Sequence, residues 1–96
     1  APVKKTLGIS VQNLTPEIAR ELGVKAIKGV VVTAVEPGSA AADAKLQTGD
    51  VIREVNRKPV TGVNDFIQKV EKAKGESLLL LIQRGQGSLF AAVTPR

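Results

Sequence analysis

The chain has no cysteine, no histidine, no tryptophan, no tyrosine and no methionine among its 96 residues. Without cysteine there is neither a disulfide scaffold nor a thiolate metal site, although an oxidising compartment does not require disulfides. Without histidine, no Ser-His-Asp or Cys-His nucleophile and no imidazole metal site can be assembled from this chain. The hydroxyls of Ser10, Ser39, Ser77 and Ser88 therefore lack the usual base, and no motif marks a buried lysine that would replace it. Aromatics are limited to Phe66 and Phe90, so any core is aliphatic and base-stacking platforms are missing. No apolar run exceeds five residues, Leu78 to Ile82 being one of them, far short of the roughly 20 needed to span a bilayer. No catalytic residue, metal or cofactor is expected, and neither nucleic acid nor membrane insertion.

What is present fits one compact domain. Hydrophobic residues make up 43% of the chain, enough for one core. Fourteen basic residues oppose nine acidic ones, for a net charge of +5. They are scattered, apart from Lys4-Lys5 and the group Lys69, Lys72 and Lys74, and read as a solvated surface. The opening Ala1-Pro2-Val3 reads as the start of an excised domain, with any targeting signal on a longer parent. Residues 1–5 are expected to be a linker remnant and 6–95 the domain.

Apolar periodicity and turn chemistry divide the chain. Leu7, Ile9 and Val11 alternate with Gly8, Ser10 and Gln12, which predicts a strand over 7–12. Thr15-Pro16-Glu17 supplies a cap, a first-turn proline and an acid for a short helix that Gly23 ends. Residues 29–35 are apolar on both faces and predict a buried strand. Pro37-Gly38 ends it, and Ser39 caps a short helix over 40–44. A strand over 51–55 breaks strict alternation, which predicts a bulge. After a short segment around Pro59-Val60, the apolar stripe Val63, Phe66, Ile67 and Val70 predicts the longest helix, 63–74, with Gly62 as N-cap and Gly75 at its end. Residues 78–84 and 88–94 form a hairpin around Gly85-Gln86-Gly87. Many strands and few helices predict an α+β fold, mainly β.

Four segments in this order resemble the PDZ family of bacterial proteases. They are Thr6-Leu7-Gly8-Ile9; Gly29-Val30-Val31-Val32 with Pro37-Gly38-Ser39-Ala40-Ala41; Leu46-Gln47-Thr48-Gly49-Asp50-Val51-Ile52 with Val55-Asn56; and the 60–70 helix followed by Leu78 to Ile82. Each is a short pattern, but together they cover residues 6–94. Leu14-Thr15-Pro16-Glu17 and Arg84-Gly85 with Leu89-Phe90 are similar to the second PDZ domain of Do-like (HtrA/Deg) serine proteases. Arg57 departs from the pattern, since the family usually has glycine in that turn.

The resemblance implies a partly open antiparallel barrel or sandwich of five to six strands, capped by one long and one or two short helices. The strand order would be the circularly shifted one of bacterial PDZ domains. It also implies a site: a carboxylate-binding loop at Thr6, Leu7, Gly8 and Ile9, a peptide-pairing strand at Ser10, Val11 and Gln12, and a hydrophobic groove lined by Val63, Ile67 and Val70, with Phe66 turned to the core. Lys4 and Lys5 either attract the carboxylate or are simply solvated. Many PDZ domains open this helix with a histidine that bonds a Ser or Thr hydroxyl of the ligand; Val63 has no such group. Asp50 reads as a turn brace rather than an acid. Implied partners are peptide or protein C-termini with an apolar last residue, together with the protease domain and neighbouring subunits of a periplasmic parent. The rival reading is an oligomerisation or docking module with no free-peptide ligand.

Overall fold

The computed structural model describes residues 2–3, 7–24, 28–73, 76–85 and 87–94. Within them the chain runs β1 (Pro2–Val3), β2 (Ile9–Asn13), α1 (Pro16–Leu22), β3 (Val30–Val35), α2 (Ala40–Asp43), β4 (Val51–Val55), β5 (Lys58–Pro59), α3 (Val63–Lys72), β6 (Leu78–Arg84) and β7 (Gly87–Val93). The strands form one antiparallel sheet in the order β1-β2-β3-β4-β6-β7, with the two-residue β5 hanging from β4. This is a PDZ-like α+β open sheet with three helices, the fold that the resemblance implies. One element was not expected: Pro2–Val3, read as linker, pairs with β2.

Local chemistry sets the helix bounds. The Thr15 hydroxyl accepts from the Ile18 amide at 3.2 Å, and Gly23 closes α1 in the left-handed region at φ 71°. The Ser39 hydroxyl accepts from the Ala42 amide and donates to the Glu36 carbonyl, joining the end of β3 to α2. Gly62 precedes α3 without a side-chain cap. The expected stop at Gly75 lies outside the described residues; α3 ends at Lys72, with Ala73 as its C-cap.

Two apolar clusters cover the two sides of the sheet. Leu7, Ile9, Val11, Val30, Val32, Ile52 and Val55 pack with Phe66, Val70 and the β6 residues Leu78, Leu80 and Ile82. Val31 and Val51 face the other way, under α1, with Leu14, Ala19 and Val24. Residues 30–32 are apolar on both faces because both faces are covered. The expected irregularity in β4 falls between Ile52 and Glu54, and a second interrupts β2 between Ser10 and Val11.

One ion pair locks the far end of the sheet. Asp50 is 1% exposed, and its carboxylate accepts from the Gln47 amide (2.9 Å) and from Arg84 Nε and an Arg84 terminal nitrogen (both 2.8 Å). The same guanidinium nitrogen reaches the Lys45 carbonyl at 3.3 Å. The hydrogen bond that Arg84 donates to Asp50 is the main reason the Arg84 pKa is raised. Asp50 thus braces this end of the sheet through three accepted hydrogen bonds.

Candidate functional site

The segment Leu7–Gly8 enters β2 by a turn whose carbonyls face inward. The Leu7 carbonyl accepts from the Ala41 amide (3.0 Å), and the Gly8 carbonyl accepts from the Glu36 amide (2.8 Å). A trans peptide plane points its N–H opposite to its C=O. The N–H groups of Gly8 and Ile9 share planes with those two carbonyls, so both are directed away from α2 and β3, toward the outer edge of β2.

Gly8 is required for two reasons. Its φ is +78°, and a Cβ built there would collide with the Cβ of Ser39 and lie 2.8 Å from its hydroxyl. The observed obstacles are the backbone conformation and Ser39, on the inner side. Leu7, Ile9 and Val11 are each at most 1% exposed, and their side chains enter the core.

The outer edge of β2 faces α3. The Asn13 side-chain oxygen at the end of β2 accepts from the Val63 amide at 2.8 Å, which ties the start of α3 to the strand. Gly62 leaves room for this bond, since a Cβ there would lie 2.9 Å from the same oxygen. Asn13 was not singled out from sequence, and a partner 50 residues away leaves no local signal. The α3 stripe divides by depth. Phe66 and Val70 are buried in the main cluster, whereas Val63 and Ile67 are half-buried against it and retain surface. Thr6, Lys4 and Lys5 lie outside the described residues.

At the start of α3, the Asp65 carboxylate accepts from Lys69 Nζ (2.7 Å) and from the Thr61 amide (3.0 Å). These two contacts, Lys69 first, hold its pKa below the ordinary aspartate value.

Along β2, residues Ile9 and Ser10 are paired on the outer side by β1, with Val3 opposite Ile9 and Pro2 opposite Ser10. Among the described residues no second strand runs beside residues 11–13 on that side. The loop with its two outward amides leads into β2, and the Asn13–Val63 bond ties the end of that strand to the start of α3, where Val63 and Ile67 keep apolar surface.

Residues 31–84 match the PDZ domain family. The chain belongs to that family. This PDZ domain is 39% identical over 90 residues to a "Probable periplasmic serine endoprotease DegP-like" of Chlamydia pneumoniae, covering 93% of this chain and 18% of the relative. It is of the HtrA/DegP type, and it spans less than a fifth of that relative's length. More distant relatives at 31% identity include the mitochondrial serine protease HTRA2 of Drosophila persimilis. Among solved structures, the PDZ domain of HtrA3 bound to a phage-derived ligand (FGRWV) superposes with a TM-score of 0.82 at 28% identity, covering 94% of this chain and 83% of that one. The HtrA-type protease AlgW with a decapeptide gives 0.81 at 26% identity, covering 95% of this chain and 29% of that one.

Proposed function

We propose that this PDZ domain captures peptide C-termini by strand addition to β2, as a non-catalytic module of a periplasmic serine endopeptidase in which it is the second PDZ domain. The observation that carries the reading is the inward anchoring of the Leu7 and Gly8 carbonyls, which turns the Gly8 and Ile9 amides outward. Adjacent outward amides form a concavity suited to a small anion such as a terminal carboxylate. Leu7 supplies the floor of the loop. Ser10, Val11 and Gln12 pair with the ligand backbone, which carries no sequence information, so selectivity falls to the helix. Val63 and Ile67 offer the apolar wall, with Val70 buried behind them. The peptide-bound relatives HtrA3 and AlgW support the same use of this fold.

The test is a titration of one apolar-ended peptide as free acid and as C-terminal amide. Charge-assisted hydrogen bonds contribute about 1.5–3 kcal/mol each, so amidation is expected to weaken binding at least tenfold. The free acid should bind in the micromolar range, about −8 kcal/mol. Equal affinities would remove the carboxylate from the mechanism.

A second reading, a docking element for neighbouring parts of the parent, draws on β7. This edge strand exposes Phe90 at 60%, opposite the half-buried Leu81 on β6. Failure of every C-terminal peptide to bind, together with an oligomer that dissociates on Phe90→Ser, would favour docking.

A further inference from the structure

We propose that the segment preceding the loop is a built-in competitor for the peptide edge of β2, so that ligand binds only by displacing β1. The inference rests on the peptide-capture reading above. A peptide whose carboxylate reaches the loop at the start of β2 has to run toward that loop, antiparallel to the strand. β1 runs in this direction: Pro2 is opposite Ser10 and Val3 opposite Ile9. Ile9 is the residue whose amide is turned outward by the anchoring of the Gly8 carbonyl. A ligand's last two residues and β1 therefore claim the same stretch of backbone.

The competitor is built to be weak. Among the described residues it pairs with β2 at two positions only. The chain continues past Val3, so the segment brings no terminal carboxylate to the Gly8 and Ile9 amides. A peptide with a free C-terminus has that advantage. Tethering compensates in part, because a segment joined by a few residues acts at a high effective concentration. Occlusion of this kind divides the intrinsic affinity by the fraction of open molecules. It would favour good carboxylate ligands over adventitious extended chains.

The experiment compares the intact chain with Val3→Pro, which removes a ladder N–H, and with a variant lacking residues 1–3. An apolar-ended free-acid peptide from a random C-terminal library is titrated into all three by calorimetry. Both variants are expected to bind about three- to tenfold more tightly than the intact chain. In the absence of peptide, the outward β2 amide of Ile9 should exchange with solvent more slowly in the intact chain than in either variant. Equal, measurable affinities in all three would overturn the competition and leave peptide capture standing. Weaker binding by the variants would also overturn it, by making β1 part of the site. No binding by any of the three would remove the peptide-capture reading itself, and this inference with it.

Discussion

At the scale of single residues, backbone conformation carries more of the argument than side-chain chemistry. Gly8 sits at φ +78° against Ser39, so Gly8→Ala faces both a left-handed backbone and a steric conflict. The left-handed region alone costs roughly 1–2 kcal/mol for a residue with a Cβ. The variant should unfold at lower urea by at least that amount, and its peptide affinity should fall more than tenfold as the two amides lose their aim. Near-normal affinity in Gly8→Ala would show that the loop amides are not the anion site. Arg57 gives the opposite case. It follows Asn56 in the β4–β5 turn, and both have positive φ, 52° and 67°. Two consecutive left-handed residues are the signature of the type I′ hairpin turn. Asn56 is suited to it and is held in place, its amide donating to the Leu79 carbonyl at 2.7 Å and its side-chain oxygen accepting from the Leu79 amide at 2.9 Å. Arg57 is exposed and has no such compensation among the bonds of the turn. Arg57→Gly should therefore raise stability by about 0.5–1 kcal/mol, the relief of strain less the added freedom of the unfolded chain. A shift of the urea midpoint at constant slope is the readout.

At the scale of elements, α3 is the part whose position matters most, and the means that hold it were the least legible. Its stripe was readable from spacing, and the placement of Phe66 in the core followed from the family resemblance. The depth of Val70 was not, because a helix face wide enough to show four apolar residues does not reveal which of them the neighbouring strand covers. Helices α1 and α2 were readable in full, since Thr15, Gly23 and Ser39 act on groups three or four residues away. The long-range ties were hidden for the converse reason: Asn13 to Val63 and Asp50 to Arg84 join groups 50 and 34 residues apart. The pairing of Pro2–Val3 with β2 was equally hidden, as two residues carry no period. The start of α3 gives a pH dependence with a definite sign. Lys69 and the Thr61 amide lower the Asp65 pKa in the folded chain. The stabilisation is therefore present above the ordinary carboxylate range, about pH 4, and is lost as pH falls through the lower folded value. The stability difference between the chain and Asp65→Asn should be constant near neutrality and shrink below about pH 4. A difference that grows on acidification would mean that the carboxylate is not held in this way. Because α3 begins with Val63 and has no polar group to offer there, an apolar ligand side chain two residues before the C-terminus should be preferred over Ser or Thr. Burying an unpartnered hydroxyl costs roughly 1–3 kcal/mol, enough to be plain in a peptide library.

At the scale of the whole molecule, the chain is a PDZ domain that spans less than a fifth of a DegP-like relative, and the proposed role is to place other molecules. The chain has no histidine, and its one deeply buried carboxylate, Asp50, is committed to Arg84 and to the Gln47 amide. With no evident base to activate a hydroxyl or water at neutral pH, the isolated domain is expected to leave unfolded casein intact on long incubation. Its effect should appear only in a longer protein, consistent with a domain that spans 18% of a DegP-like relative. The two readings, peptide capture and docking, then separate in a parent protease from which the domain is removed. Peptide capture predicts slower cleavage of casein at unchanged assembly size, because local substrate concentration falls while the catalytic domain is untouched. Docking predicts a smaller particle, with any change in cleavage following from it. Val63→Asp sharpens the comparison: it places a charge on the half-buried apolar wall that a ligand side chain would need and leaves the exposed Phe90 of β7 unchanged. Under peptide capture this variant should reproduce the cleavage defect of the deletion with the particle size preserved, whereas Phe90→Ser should leave cleavage alone. If deletion alters neither cleavage nor size, the domain is neither a capture module nor an assembly element, and both readings fall together.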